Sequence, residues 1–286
     1  MNSVEIDGRT YELLERHQPS ERNHVRIYSD DTGFVRVGPA GIIDANLRIH
    51  KHLEAEGFPV PRILREGNIG DEKYFIEESL GIKILRLQFA DELRESGRIS
   101  RQSFEAFLKV VEKFLVAQAK TIGPKDEGAF LAGMHVARLC EELPAYASKI
   151  RARASDSLGS LSEFPFVLSH GDFSPSNLFP KGIIDFEDSL SAPFGYDAVC
   201  ALTTCEWFPE SSDLEFPINP YHFTSEQKAE YLTMCDEVAK KNGFPKISPK
   251  LQDFDYFRAV WLTEGMGEWP KAQAQRYERF IMQYLK

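Results

Sequence analysis

Cysteine is scarce in this chain, and the few present follow no pattern. Cys140, Cys200, Cys205 and Cys235 form no C-x-x-C pair and have no histidine at zinc-ligand spacing. That argues against a structural zinc site and against a disulfide framework. Each sits among apolar neighbours, the setting of a small buried hydrophobe. Long hydrophobic runs are missing too. No stretch approaches the roughly 20 residues that a membrane helix needs, so no membrane partner is expected. The N-terminus, MNSVEIDGRTYELLERHQ, has no basic start followed by an apolar core. The expectation is therefore no secretory signal and a cytoplasmic setting. Positive charge is also short, with 34 basic residues against 44 acidic ones and a net charge of −10. Such a balance disfavours a nucleic-acid partner and is compatible with a cationic small molecule. Neither an internal repeat nor a low-complexity linker interrupts the chain.

What is present is a globular composition. The 286 residues are 42% hydrophobic, with 16 prolines and 19 glycines spread along the length, enough for two lobes or one large domain. The first part reads as short strands. HVRIYSD alternates, turns at DDTG and resumes at FVRV, a hairpin signal. IIDANLRIHKHLEAEG follows with Ile43, Leu47 and Leu53 near helical spacing and Gly57 as a stop. PVPRIL and YFIEESLG read as two further strands. Beyond residue 80 helices dominate. Phe104, Phe107, Leu108, Val111, Phe114 and Leu115 make a strong amphipathic pattern. Residues 126–152 continue helical until RARASDSLGSLSEFP, whose Ser, Gly and Pro mark a loop. Phe254, Phe257 and Trp261 form a buried helix face, and Tyr277, Phe280, Ile281, Tyr284 and Leu285 form another. The expected fold is α+β: a small antiparallel sheet with one helix over residues 1–80, then a larger, mainly helical lobe over residues 81–286.

One stretch concentrates chemistry. HGDFSPSNLFPKGIIDFED, His170 to Asp188, sets Asp172, Asp185, Glu187 and Asp188 beside apolar strand residues. NLFPKGIIDF reads as a hairpin with a three-residue loop, Pro180-Lys181-Gly182. Gly182 would take the left-handed position that such loops require. That register puts Asn177 beside Asp185. An amide and a carboxylate held together are hard oxygen ligands suited to Mg²⁺, which also offsets the repulsion among the acids. Asp172 precedes Asn177 by five residues and can face the same spot, placed to accept or orient a hydroxyl proton.

H-G-D-x-x-x-x-N followed by I-D-F-E closely resembles the catalytic and metal loops of the aminoglycoside phosphotransferase and choline kinase superfamily. Those are small-molecule kinases with a protein-kinase-like fold, and protein kinases share the Asp-x4-Asn spacing. GFPVPRIL at 57–64 resembles the segment after the family's N-lobe helix, YFIEESLG its hinge strand, and PFGYDAVCAL the segment following its metal loop. The resemblance implies Asp172 as the catalytic base or hydroxyl-orienting group. It implies Asn177 and Asp185 as Mg²⁺ ligands, with His170, Glu187 and Asp197 in support, Asp197 bracing the catalytic loop from a helix start. Nucleotide, ATP or GTP, would meet Arg36, Ser20 and Asn23, with its base against Glu77, Glu78 and Ser79.

The chain departs from that family's pattern in its first part. FVRV places Arg36 where the family's nucleotide lysine stands, and its fork is stiffer than a lysine point charge. The helix acid aligned with that lysine is Asn46 here, with Asp44 as a possible substitute partner. QPSERNHV, the phosphate-covering loop, holds no glycine, which makes close backbone approach harder. These features support two readings. One is an ATP-dependent kinase acting on a hydroxyl of a small metabolite or aminoglycoside-like compound. The other is a catalytically degenerate nucleotide sensor or scaffold of the same fold. A metal-dependent phosphoesterase is a third, with no second histidine at ligand spacing to support it. For the acceptor, Trp207, Trp261 and Trp269 with Glu206, Glu210, Glu264 and Glu268 would suit an amine. The same residues fit a core of tryptophans with surface acids, and a sugar or amino alcohol fits equally.

Overall fold

The computed structural model describes residues 2–14, 25–208, 221–264 and 270–286. Ser20 and Asn23 lie outside them, as do Glu210, Glu268 and Trp269. The chain divides into two compact units. The first comprises Met1–Ile82 with Phe179–Ile184, and the second Lys83–Leu178 with Asp185–Lys286.

The first unit is a six-stranded antiparallel sheet with one helix. β1 (Ser3–Ile6), β2 (Arg9–Leu13), β3 (Arg26–Ser29), β4 (Gly33–Gly38), β5 (Ile63–Ile69) and β6 (Glu72–Glu78) run in the order β1-β2-β3-β4-β6-β5. The β3–β4 turn forms as the DDTG motif suggests, with Asp30 Oδ1 accepting from the amides of Thr32 and Gly33 at 2.7 and 2.9 Å. Strand alternation separates two faces. Val35, Val37, Tyr74 and Ile76 join Ile6, Tyr11 and Tyr28 in one apolar cluster. Phe75, on the opposite face, packs with Val25 and with Ile43 and Leu47 of helix α1 (Ala40–Glu56). That helix stops at Gly57, whose φ of +86° closes a left-handed cap. PVPR is not strand. β5 begins only at Ile63, because Pro59 and Pro61 have no N–H to give a ladder.

The second unit is helical: α2 (Leu85–Ser96), α3 (Arg101–Gln118), α4 (Glu127–Gly133), α5 (Val136–Glu142) and α6 (Ala147–Ser160) precede the loop-bearing strand β7 (Phe166–Ser169). The segment RARASDSLGS, expected as loop, is helix α6. Ile150, Ala154, Ser157 and Leu158 form a buried stripe along it, and burial of that face overrides the weak propensity of its serines. The chain then leaves this unit for a short hairpin, β8 (Leu178–Phe179) and β9 (Gly182–Ile183), whose residues 179–184 belong to the first unit. It returns with β10 (Leu190–Pro193), which pairs with β7. α7 (Tyr196–Thr203), α8 (Ser225–Lys241), α9 (Leu251–Thr263) and α10 (Pro270–Phe280) complete the unit. Its core is rich in rings: Phe107 stacks on Tyr231 at 5.2 Å and Phe130 meets Phe257 edge-on at 4.9 Å. Among the described residues, no helix is long and apolar enough to cross a membrane. All four cysteines are buried and free.

Candidate active site

Strand β7 delivers the chain into the loop His170–Asn177, and the loop is held from beneath. Phe173 is fully buried and stacks on Phe114 of α3 at 4.1 Å. The His170 ring is also buried, with Phe186 at 4.5 Å and Phe173 at 5.8 Å. Gly171 has a φ of +81°, and a Cβ there would lie 2.1 Å from the carbonyl oxygen of Asp188. Only glycine permits that conformation with the following turn pressed so close.

Asp197, in the first turn of α7, collects the loop's donors. Its carboxylate accepts from Ser169 Oγ at 2.9 Å, from the His170 amide at 3.2 Å and from Gln118 Nε2. Complete burial pushes the Asp197 carboxyl up to about 6, with the bonds from Ser169, Gln118 and the amides of His170 and Gly171 acting the other way. The geometry is that of a brace from a helix start.

Asp172 is only partly buried within this loop, its side chain 27% exposed. Each carboxylate oxygen has its own donor. Asn177 Nδ2 donates to Oδ2 at 3.1 Å and also to the Asp172 carbonyl at 2.9 Å. Arg258 of α9 donates from its terminal nitrogen to Oδ1 at 2.6 Å. Burial raises the Asp172 carboxyl, but the Arg258 charge and hydrogen bond, with His170 and Asn177, outweigh it and hold the group below its usual range. Arg258 was not anticipated from the sequence. Its signal is a single cation in a helix whose residues 254–260 are all buried, since a buried charge requires a partner.

The hairpin differs from its expected form. The loop is two residues, Pro180-Lys181, and Gly182 is a strand residue outside the left-handed region. Glycine is needed there for another reason: a Cβ would lie 2.2 Å from the Pro59 carbonyl oxygen, beside which the Ile183 amide donates to that same oxygen at 2.8 Å. With a two-residue loop the ladder, carried one step on, sets Ile184 and not Asp185 opposite Asn177. Asp185 leaves the strand with a φ of +69° and an exposed side chain, and Glu187 and Asp188 follow in an exposed turn.

Among the described residues, no group of three or more His, Cys, Asp or Glu side chains is placed to hold a metal. The donor chemistry nevertheless suits a sparsely held Mg²⁺. With both Asn177 N–H contacts given to Asp172, the amide oxygen is the end left to accept a cation, and Asp185 contributes an exposed carboxylate.

In the first unit, Arg36 does not pair with an α1 acid. Its Nε donates to Glu77 Oε1 at 3.1 Å, diagonally across the β4–β6 ladder, and Asp44 pairs with Lys73 instead at 2.7 Å. The cause is strand alternation: Arg36, Lys73 and Glu77 share the α1 face with Phe75. The amides of Glu78 and Ser79 donate to the carbonyls of Arg62 and Thr32. Among the acids suggested for an amine, Glu206 pairs with Lys228, and Glu264 with His135 and Arg138. Trp207 is buried, and Trp261 lies under the Arg258 guanidinium at 4.5 Å.

The model of the phosphotransferase enzyme family matches residues 9–220. The chain belongs to that family. Choline kinase LicA from Streptococcus pneumoniae shares the fold at a TM-score of 0.58 and 13% identity, over 96% of this chain and 94% of that one. A glucosamine kinase does so at 0.54 and 14%, over 92% and 77%. The gentamicin complex of APH(2")-IIa does so at 0.52 and 12%, over 92% and 88%. No curated protein sequence matches the chain. The family match and these neighbours agree with the α+β, protein-kinase-like fold and the phosphotransferase class expected from the loop motifs.

Proposed function

We propose that this phosphotransferase is a kinase of small molecules, moving the γ-phosphoryl group of ATP or GTP to a hydroxyl of a metabolite or aminoglycoside-like compound. The observation that carries the reading is the Asp172 carboxylate, clamped on both oxygens by Asn177 and Arg258 in a loop braced by Asp197. Phosphoryl transfer has a loose transition state, so the protein's work is positioning and charge stabilisation. A carboxylate held ionised and fixed in plane accepts the hydroxyl's hydrogen bond and aims its oxygen along the line of attack. Once the P–O bond forms, the same carboxylate takes the proton. Asn177 and Asp185 would hold Mg²⁺, which supplies neutralisation of phosphate charge. His170 supports the loop from its buried position, and Glu187 stands beside the metal residues in the exposed turn.

In the first unit, Arg36 supplies a cation for phosphate, softened by Glu77. The base would meet the Glu77–Ser79 segment through groups other than the Glu78 and Ser79 amides, which are committed to Arg62 and Thr32. Because Glu206 and Glu264 already carry cations, a sugar or amino alcohol is as suitable an acceptor as a polyamine. A nucleoside triphosphate donor supports a cytoplasmic setting. The degenerate-sensor reading, motivated by Arg36, Asn46 and the glycine-free QPSERNHV segment, is favoured further by one observation, that Glu77 already engages Arg36.

The test is direct. Wild type and Asp172→Ala are assayed with Mg-ATP and Mg-GTP against choline, glucosamine and gentamicin, scoring released nucleoside diphosphate and phosphorylated product. Transfer should vanish in Asp172→Ala while calorimetry shows Mg-nucleotide binding retained. Parental turnover in that variant would remove Asp172 from its role. Tight binding with no turnover on a broad hydroxyl panel would favour the sensor.

A further inference from the structure

We infer that Arg258 is a positioning residue of the transfer reaction, fixing the plane of the Asp172 carboxylate from a helix 86 residues further along the chain. The inference rests on the kinase reading of Asp172 and adds to it a second, remote group.

Arg258 is built as a fixed strut. Its side chain is 1% exposed. Nε donates to Thr204 Oγ1 at 2.9 Å, and Thr204 in turn donates to the Cys200 carbonyl at 2.7 Å at the end of α7. One terminal nitrogen reaches toward the Gly171 carbonyl at 3.5 Å while the other binds Asp172 Oδ1 at 2.6 Å. The ring of Trp261, one turn on along α9, covers the guanidinium face at 4.5 Å. Three edges of a planar group are thereby engaged, and the plane itself is stacked. A lysine could carry the charge but not that orientation.

The consequence falls on Asp172. A carboxylate with one donor can turn about its last side-chain bond, and a hydroxyl bound to it turns with it. Here Arg258 and Asn177 hold opposite oxygens, so the lone pairs left over point in a set direction. Displacement of a reacting group by about 1 Å can cost on the order of 10²-fold in rate. Stability alone does not explain the pair, since a buried ion pair contributes little net to folding compared with apolar residues of the same volume.

The test compares kcat, acceptor KM and Mg-nucleotide affinity for Arg258→Gln, Arg258→Lys and Thr204→Val, using whichever acceptor the wild type phosphorylates. Arg258→Gln should lower kcat by about 10²-fold, with KM and nucleotide affinity essentially unchanged. Arg258→Lys should recover part of the loss, and Thr204→Val, which only loosens the strut, should show a smaller loss of the same kind. A folded Arg258→Gln with parental kcat, or one whose loss falls on acceptor KM or nucleotide affinity with kcat unchanged, overturns the role. If Arg258→Gln does not fold, Thr204→Val and Arg258→Lys decide by the same criteria. A wild type that phosphorylates no acceptor ends the kinase reading and this one together, whereas an active wild type with indifferent variants ends only this one.

Discussion

The Nε of Arg36 and the Oε1 of Glu77 lie 3.1 Å apart on the α1 face of the sheet, the carboxylate side chain 6% exposed and the guanidinium side chain 24%. The two ends of the pair are therefore unequal, and removing them should be unequal too. Arg36→Met strands a carboxylate almost wholly out of water, whereas Glu77→Gln leaves a cation that can still reach solvent. Leaving a buried polar group unsatisfied costs about 1–3 kcal/mol, and more when it is charged. Urea unfolding should show Arg36→Met losing about 3 kcal/mol and Glu77→Gln about 1 kcal/mol. Equal losses would mean that Glu77 is solvated by other groups.

Gly171 carries two constraints at once, a left-handed φ and a carbonyl 2.1 Å from where a Cβ would sit. Gly243 shares the first, with a φ of +75°, but no atom lies within 4 Å of its missing Cβ. Alanine at 243 should cost about 1–2 kcal/mol, the backbone term alone. Alanine at 171 should cost that plus about 1–3 kcal/mol of overpacking against the Asp188 backbone. The comparison is made by denaturant midpoint, and transfer activity should be lost only at 171. If both variants unfold at the same midpoint, the close approach to Asp188 is not rigid.

Much of this was legible in the sequence, and the failures have physical causes. The contact of Asn177 with Asp172 and the position of Asp197 at a helix start were readable because spacing along a loop and at a helix start is local. The expected pairing of Asn177 with Asp185 fails because the hairpin loop is one residue shorter than its Pro-Lys-Gly sequence suggests. Helix α3 was readable from its apolar period. Helix α6 was not, because serine and glycine give a loop signal that only the buried stripe of Ile150, Ala154 and Leu158 overrides. Gly182 is a strand residue and not the left-handed loop residue expected, and its constraint is the Pro59 carbonyl, 123 residues away in sequence. Arg258 and the Arg36–Glu77 pair depend on contacts across long separations, which composition and periodicity do not encode.

The buried Asp197 carboxyl gives a pH signature. Burial raises it from 3.8 to about 6, its hydrogen-bond donors only partly offsetting that. Between those values the native state holds a proton that the unfolded chain has released, so stability attributable to this group falls as pH rises. The loss is complete above pH 6 and amounts to about 3 kcal/mol. Asp197→Asn cannot titrate there. The stability of the wild type relative to this variant should therefore decline between about pH 4 and 6.5 and be level above. The variant also loses an acceptor for Gln118 or the His170 amide, a pH-independent offset. A stability difference constant across the whole range would show that the donors, not burial, set the ionisation of Asp197.

Metal dependence should separate Asn177 from Asp185. Asp185 is an exposed carboxylate, whereas Asn177 has its amide nitrogen on Asp172 and its oxygen left for a cation. Asp185→Ala should weaken Mg²⁺-supported nucleotide binding by about tenfold or more, the cost that even outer partners of a metal impose. Its affinity should then match the wild type measured in chelator, with no change in chelator itself. Asn177→Ala should show that same loss of Mg²⁺ dependence and a further fall in kcat at saturating Mg²⁺, because Asp172 loses the donor on Oδ2 while Arg258 still holds Oδ1. Calorimetry with ATP in Mg²⁺ and in chelator reads the first effect, and saturation kinetics read the second. If raising Mg²⁺ restored full kcat to Asn177→Ala, the amide would be a ligand only, and the plane of Asp172 would be set by Arg258 alone.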